Sequence, residues 1–406
     1  MTRHLLTKFH PQYLFPAVAL ACGSVVAFGC GSSSGGSAYG GGNAGASAGS
    51  NNSAQAGSNG AGAATSGGGA PSGGTGGGDA GAVELAGFSV TRTDLDSDQA
   101  GAAQTDPHLL NAWGIAINPG AQLFWISSNH DGSTPVYNAS GAIEPFDPKV
   151  APISGTDPGP PTGAVFNGGN SFMGDKFIVD TEDGQILGWP GAGDYVQRAV
   201  KAGAGYKGLA LIGASTNQML VATDFHDGTV DVYDADYKPV TNASAFTDDT
   251  IPAGFAPFNV MPIGNQVYVT YAKQDADKAD DERGPGNGYV SVFAADGTFT
   301  KRLISGGELN SPWAVAVAPA SFGTLANTLL VGNFGDGAIH AYDPSSGALV
   351  GQLTTATATP LLILGLWDLK VGPAGTTDLT NTLFFTAGPS AEAHGIFGKL
   401  EAVTGN

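Results

Sequence analysis

The stretch Tyr206-Lys207-Gly208-Leu209, followed by Met219-Leu220-Val221-Ala222, Asp227-Gly228 and Thr229-Val230-Asp231-Val232-Tyr233, decides the fold. It holds three short runs rich in β-branched and aromatic residues, separated by Gly-containing turns, as successive antiparallel strands require. The same unit recurs along the chain. Its opening marks are Ala112-Trp113-Gly114-Ile115, Pro161-Thr162-Gly163-Ala164, Tyr206-Lys207-Gly208-Leu209, Pro257-Phe258-Asn259-Val260, Pro312-Trp313-Ala314-Val315 and Leu366-Trp367-Asp368-Leu369. Their middle residues are spaced by 49, 45, 51, 55 and 54 positions. Third runs such as Gln185–Trp189, Tyr289–Phe293 and Ala338–Tyr342 end on an aromatic residue. Asp-Gly turns at 131–132, 183–184, 227–228, 296–297 and 336–337 punctuate the repeats.

Repeats of roughly 40–50 residues with three or four strands each are the signature of propeller blades. The expectation is an all-β, six-bladed β-propeller over residues 83–406. The last unit has strands near Trp367–Val371, Thr382–Thr386 and Gly395–Val403 and lacks a fourth. Phe88–Thr93, ahead of the first unit, is expected to supply it and close the ring, which would pair edges otherwise exposed.

The residues before the repeats carry no such pattern. Arg3 and Lys8 precede an apolar run from Tyr13 to Phe28 that ends in Ala27-Phe28-Gly29-Cys30. That is the arrangement of a lipoprotein-type signal peptide over 1–30, with Cys30 as the lipidated residue; Ala19-Leu20-Ala21-Cys22 is a competing site. Residues 31–82 are almost entirely Gly, Ser, Ala and Asn, with Asp79 as the only charge. Such a stretch buries too little apolar surface to offset its ordering entropy and reads as a disordered linker with a reach of about 40 Å. The expected location is the cell envelope, on the outer membrane if the cell is Gram-negative. The lipid is the only expected membrane contact, and the chain is expected to be monomeric.

Composition excludes other classes. Of 406 residues, 16 are basic and 35 acidic, a net charge of -19, which argues against a nucleic-acid partner. The two cysteines, Cys22 and Cys30, exclude a disulfide scaffold. Within residues 83–406 there is no Gly-x-Ser-x-Gly nucleophile motif, Gly-Lys-Ser/Thr phosphate loop or Cys-x-x-Cys-His haem site.

Several stretches resemble an uncharacterised family of exported bacterial proteins with NHL-like propeller repeats. They are Thr105–Gly114, Tyr206–Ala210, Ala256–Val260, Leu309–Trp313, Val331–Gly337 and Phe384–Pro389. The resemblance spans residues 88–400 and implies a propeller and export, with no assigned activity. One departure is Lys278-Ala279-Asp280-Asp281, where that family tends to carry a histidine.

In a propeller the loops entering the first strand and those joining the second to the third line one face around the channel. Strand-1 starts place Asn111, Thr162, Lys207, Asn259, Asn310 and Asp368 there. The 2–3 turns add Asn129 and His130, Thr181 and Glu182, Asp224 and His226, Asn333 and Asp336, and Glu392 and His394. All but Thr162, Asp336 and Glu392, which count only as positions on this face, are candidate ligand-binding residues, although Asn and Asp also suit such turns for backbone reasons alone. His130, His226 and His394 occupy equivalent turns and, with Glu182 and Asp224, form a candidate channel metal set. By fold analogy with six-bladed lactonases this makes a metal-dependent hydrolase the alternative to a propeller that binds a ligand or protein partner. Asp275, Asp277, Asp280, Asp281 and Glu282, in the fourth-unit insertion, are hard oxygen donors suited to Ca²⁺ or another divalent metal, though not in EF-hand spacing. Asp94, Asp96 and Asp98 alternate but lack an acidic residue eleven positions after Asp94, and read as a strand end and loop.

Overall fold

The computed structural model describes residues 86–403 apart from 214–216 and 242–244. They belong to the unit Gly78–Asn406, one of two into which the chain divides. The signal-peptide expectation, Cys30 and the whole linker expectation, 31–82, lie outside the described residues.

Two strands, β1 (Ala86–Ser97) and β2 (Gln104–Thr105), precede the repeats. The first unit forms β3 (Ala112–Asn118), β4 (Leu123–Ser128) and β5 (Val136–Asn138). The second forms β6 (Pro161–Phe166), β7 (Phe177–Thr181), β8 (Gln185–Trp189) and β9 (Val196–Val200). The third forms β10 (Tyr206–Ile212), β11 (Met219–Asp224) and β12 (Thr229–Tyr233). The fourth forms β13 (Phe255–Ile263), β14 (Gln266–Lys273), β15 (Gly288–Ala294) and β16 (Phe299–Ser305). The fifth forms β17 (Pro312–Val317), β18 (Leu329–Asn333), β19 (Ile339–Tyr342) and β20 (Leu349–Thr354), and the last β21 (Leu366–Val371), β22 (Leu383–Ala387) and β23 (Ile396–Ala402). Consecutive strands within each unit pair antiparallel.

The described strands make five hydrogen-bonded sheets rather than six. The reason is β1. Its first residues, Ala86–Ser89, pair in parallel with β20, and Val90–Ser97 pair antiparallel with β23. The fifth and last units therefore join in a single nine-stranded sheet.

Second strands such as β7, β18 and β22 are buried at every position. Each sheet is covered on both faces by its neighbours, so apolar residues run on without strict alternation. The six opening marks share a further feature: every first strand has a register shift there, between Ala112/Ile115, Pro161/Ala164, Tyr206/Gly208, Pro257/Asn259, Pro312/Ala314 and Leu366/Leu369. A bulge bends the strand and re-aims its side chains. It also brings neighbouring first strands together. A Cβ on Gly114 would lie 2.6 Å from the Thr162 carbonyl oxygen, and one on Gly163 would lie 2.4 Å from the Leu209 amide nitrogen. Neither backbone contact leaves room for a side chain.

At the bulges the chain points large rings at one another. Trp113, Phe225, Phe258, Trp313, Phe334 and Trp367 form one buried cluster. Trp367 stacks between Trp113 (centroids 3.5 Å apart) and Phe334 (3.8 Å), and meets Trp313 edge-on at 6.1 Å. Its indole Nε1 donates to Asn111 Oδ1 at 2.8 Å, and Trp313 Nε1 donates to the Lys207 carbonyl at 2.9 Å. Trp367→Ala should cost about 3–5 kcal/mol of folding stability and Trp367→Phe distinctly less, as read by denaturant unfolding of the two variants.

Candidate functional site

Immediately over this aromatic cluster sits a charged layer. Lys207 leaves β10 just before its bulge, and only 4% of its side chain is exposed. The ammonium lies 5.4 Å from the centre of the Trp113 ring, 2.5 Å from Glu182 Oε1 and 3.3 Å from Asp280 Oδ1. Burial works against the charged amine, but Glu182 and then Asp280 outweigh it and hold its pKa above the ordinary lysine value.

Glu182 and Glu392 are joined through two amides. Asn129 Nδ2 donates to Glu182 Oε2 at 3.0 Å, Asn111 Nδ2 donates to Asn129 Oδ1 at 3.4 Å, and the same nitrogen donates to Glu392 Oε2 at 3.0 Å. Arg283 closes the layer. Its guanidinium stands 4.2 Å over the Phe334 ring, 3.4 Å from Glu392 Oε1 and 3.8 Å from Asp281 Oδ2. Burial, then the Glu182 charge, push the Glu392 carboxyl up to about 7. Burial also raises the Asp281 carboxyl. The loop carrying Glu392 is strained: Ser390, Ala391 and Glu392 all have positive φ (59°, 55° and 68°). Consecutive left-handed residues other than glycine are costly, and strain of this kind concentrates at functional sites.

The structure thus brings together Asn111, Asn129, Glu182 and Lys207 of the expected ligand-binding residues, with His130 on the exposed rim beside Asn129. Others serve the scaffold. Thr162 Oγ1 donates to the Tyr206 carbonyl and Asn259 Nδ2 to the Trp313 carbonyl, while Asp368 Oδ2 accepts from the Ile115 amide; each bond ties one unit to the next. Thr181 Oγ1 donates to Asp183 within its own turn. Asn333 Oδ1 accepts from the Asn310 amide, and Asn310 Oδ1 accepts from the Gly284 amide.

Neither set of metal candidates has its donors gathered among the described residues. The three turn histidines do not converge, because local carboxylates take two of them: His226 Nδ1 lies 3.1 Å from Asp227, and His394 Nδ1 lies 2.7 Å from Asp98. Asp224 is buried against Lys201 Nζ at 2.8 Å and accepts from the Gly205 and Asp227 amides. The Asp275–Glu282 loop forms no cage either, because its carboxylates are spent separately. Asp275 accepts from the Ala279 amide, Asp277 is exposed, Asp280 faces Lys207, Asp281 faces Arg283, and Glu282 pairs with Lys273 at 2.7 Å. Among the described residues the one group of three metal-type donors is His108, Asp131 and Asp147. Lys149 Nζ already lies 2.9 and 2.6 Å from its two carboxylates.

Sequence pattern does not single out Arg283, and it places Glu392 only in a turn on this face. The signal for Arg283 was an arginine placed directly after Asp280-Asp281-Glu282. A cavity of about 850 Å³ lies elsewhere, beside β12, with Lys201, Asp231, Tyr233, Ile251, Phe255 and Tyr271 in its wall.

No family model matches the chain. Two uncharacterised proteins of Acanthamoeba polyphaga mimivirus do. Protein R648 is 32% identical over 318 residues, covering 74% of this chain and 76% of its own length. Protein L690 is 31% identical over 321 residues, covering 74% and 82%. The chain belongs to their family. These relatives are viral, so the bacterial origin implied by the sequence resemblance has no support from them.

Among solved structures, the GH93 α-L-arabinofuranosidase of Fusarium graminearum aligns at a TM-score of 0.50 and 12% identity, covering 78% of this chain and 98% of that one. The Dos1 propeller aligns at 0.42 and 10%, covering 73% and 69%. Identities this low speak to the fold alone: the chain has an all-β, propeller-type architecture.

The site carries a pH signature. Glu392, together with the buried carboxyls of Asp96 and Asp180, is pushed up to about 7, chiefly by burial. Between the ordinary carboxylate range and about pH 7 the folded chain keeps these protons and the unfolded chain has lost them, so their contribution to stability falls as pH rises through that window. Thermal melts should therefore drop between about pH 4 and pH 7, and Glu392→Gln should flatten part of the drop.

Proposed function

We propose that the chain is an exported, six-bladed propeller that binds a small, hydroxyl-rich ligand at the mouth of its channel. One observation carries this reading: the line Glu182–Asn129–Asn111–Glu392, flanked by Lys207 and Arg283. A hydroxyl both donates and accepts a hydrogen bond. Carboxylates that accept, amides that do both and cations that donate, set in one row, suit several hydroxyls on one ligand. With four carboxylates against two cations the site disfavours anions. A protein partner on the same face is the second reading, favoured by the exposed Asp280 at the rim.

In this reading β1 is the outer strand of the sixth blade, and its pairing with β23 supports that role. Cys30 bears the lipid, and residues 31–82 hold the propeller away from a membrane it touches nowhere else. The chain acts as a monomer with no nucleic-acid partner. The lactonase-type hydrolase is the less favoured alternative, since His226 and His394 of its donor set pair with Asp227 and Asp98.

A glycan array probed with the purified chain tests the ligand class. Binding to neutral saccharides, weakened at least tenfold in Glu182→Gln and in Arg283→Ala, is expected. Capture of proteins alone, with no glycan bound, would move the site to the second reading. Labelled palmitate fed to a bacterial expression host should enter the wild-type chain and be absent from Cys30→Ser.

A further inference from the structure

Before the first repeat, β1 does something its role as a pairing strand does not need. Its register against β23 shifts between Asp94 and Asp96, and Asp96 is left wholly buried. Neither of its carboxylate oxygens has a hydrogen-bond partner. The neighbouring carboxylates are spent: Asp94 pairs with Arg92 at 2.7 Å and Asp98 with His394 at 2.7 Å.

The chain then turns back on itself. β2 pairs in parallel with the end of β1, Asp96 opposite Gln104 and Ser97 opposite Thr105. The Asp106 amide donates to the Ser97 carbonyl at 3.0 Å. This places a second buried carboxylate, Asp106, beside Asp96. Asp106 Oδ1 accepts from the His108 amide and Oδ2 from Tyr137 Oη, both at 2.9 Å. Tyr137 lies on β5 and is completely buried. Among the described residues no lysine, arginine or histidine makes an ion pair with Asp96 or Asp106. Burial, then the charge of Asp106, push the Asp96 carboxyl up to about 7.

Two adjacent buried carboxylates with no counter-charge are costly unless something neutralises them. We propose that Asp96 and Asp106 form a site for a hard divalent cation of the calcium class, which ties β1 to the first sheet. Hard oxygen donors on a strand end and the following loop suit calcium, whose coordination tolerates irregular geometry and draws freely on backbone carbonyls. The location gives the ion a purpose. Leu95, next to Asp96, packs in a cluster with Phe124 and Tyr137 of the first sheet and with Phe384 and Phe397 of the last unit. A cation here would bind β1 at the seam where the ends of the repeat array meet.

The test uses the full chain stripped by a chelator. Terbium, which replaces calcium at oxygen sites, should give tyrosine-sensitised emission through Tyr137, and calcium should quench it by competition. Calcium should also raise the melting temperature by several degrees. Asp96→Asn should lose both effects and, with one buried charge gone, melt no lower than the calcium-free wild type. Tyr137→Phe should lose most of the emission yet keep the calcium-dependent melt. Asp147→Asn and Asp277→Asn, at the exposed acidic groups, should keep both. The proposal is overturned if the wild type shows neither emission nor a shift, if Asp96→Asn keeps the full shift, or if Asp147→Asn or Asp277→Asn abolishes it. Should Asp96→Asn fail to fold, Asp106→Asn takes its place with the same criteria.

Discussion

The backbone contact between neighbouring first strands is the constraint on which the rest depends. Gly114 and Gly163 let adjacent strands approach until a Cβ would overlap the next backbone. The register shifts at the six opening marks bend those strands and turn large side chains inward. The space they enclose is closed by rings rather than left as a pore, with Trp367 stacked between Trp113 and Phe334. Dispersion and burial in that stack act on several units at once, so the cluster couples sheets that share few hydrogen bonds.

This filling determines where polar chemistry can sit. With aromatic side chains occupying the axis, charged groups are displaced to the layer over them. There Lys207 rests against Trp113 and Arg283 against Phe334, each using a ring face on one side and carboxylates on the other. The three consecutive left-handed residues ending at Glu392 place its carboxylate between Asn111 and Arg283. A conformation this costly persists only because the surrounding bonds over-determine it.

The N-terminal strand is the second organising element. By pairing with β20 and then with β23, β1 removes two edges together. That double pairing is also why sheet counting departs from repeat counting. The bulge that lets β1 follow β23 turns Asp96 inward, so one local irregularity both seats the strand and buries a carboxylate.

Strands, turns and repeat boundaries were legible in the sequence because they rest on local physics: β-branched runs, Asp-Gly turns, and a glycine or aromatic residue at fixed offsets. The last unit shows it, with strands expected near 367–371, 382–386 and 395–403 and found at Leu366–Val371, Leu383–Ala387 and Ile396–Ala402. Lys207 and Glu182 were likewise visible as charges at a first-strand start and in a 2–3 turn of the same face. Their pairing was not, and nor was the role of Thr162, Asn259 and Asp368 as ties between units, because an identical polar residue at an identical offset either faces the mouth or reaches the next strand. Which one it does depends on the neighbour that packing of the sheets supplies, and residues such as Lys207 and Asp280 are 73 positions apart. The same holds for His226 and His394, whose repeat positions match but whose nearest carboxylates differ. The sequence by itself determined the repeat and the chemical inventory of its loops. Only the tertiary structure decided which charges meet, because ion pairing and burial are set by distances that exist only once the sheets are packed around a common axis.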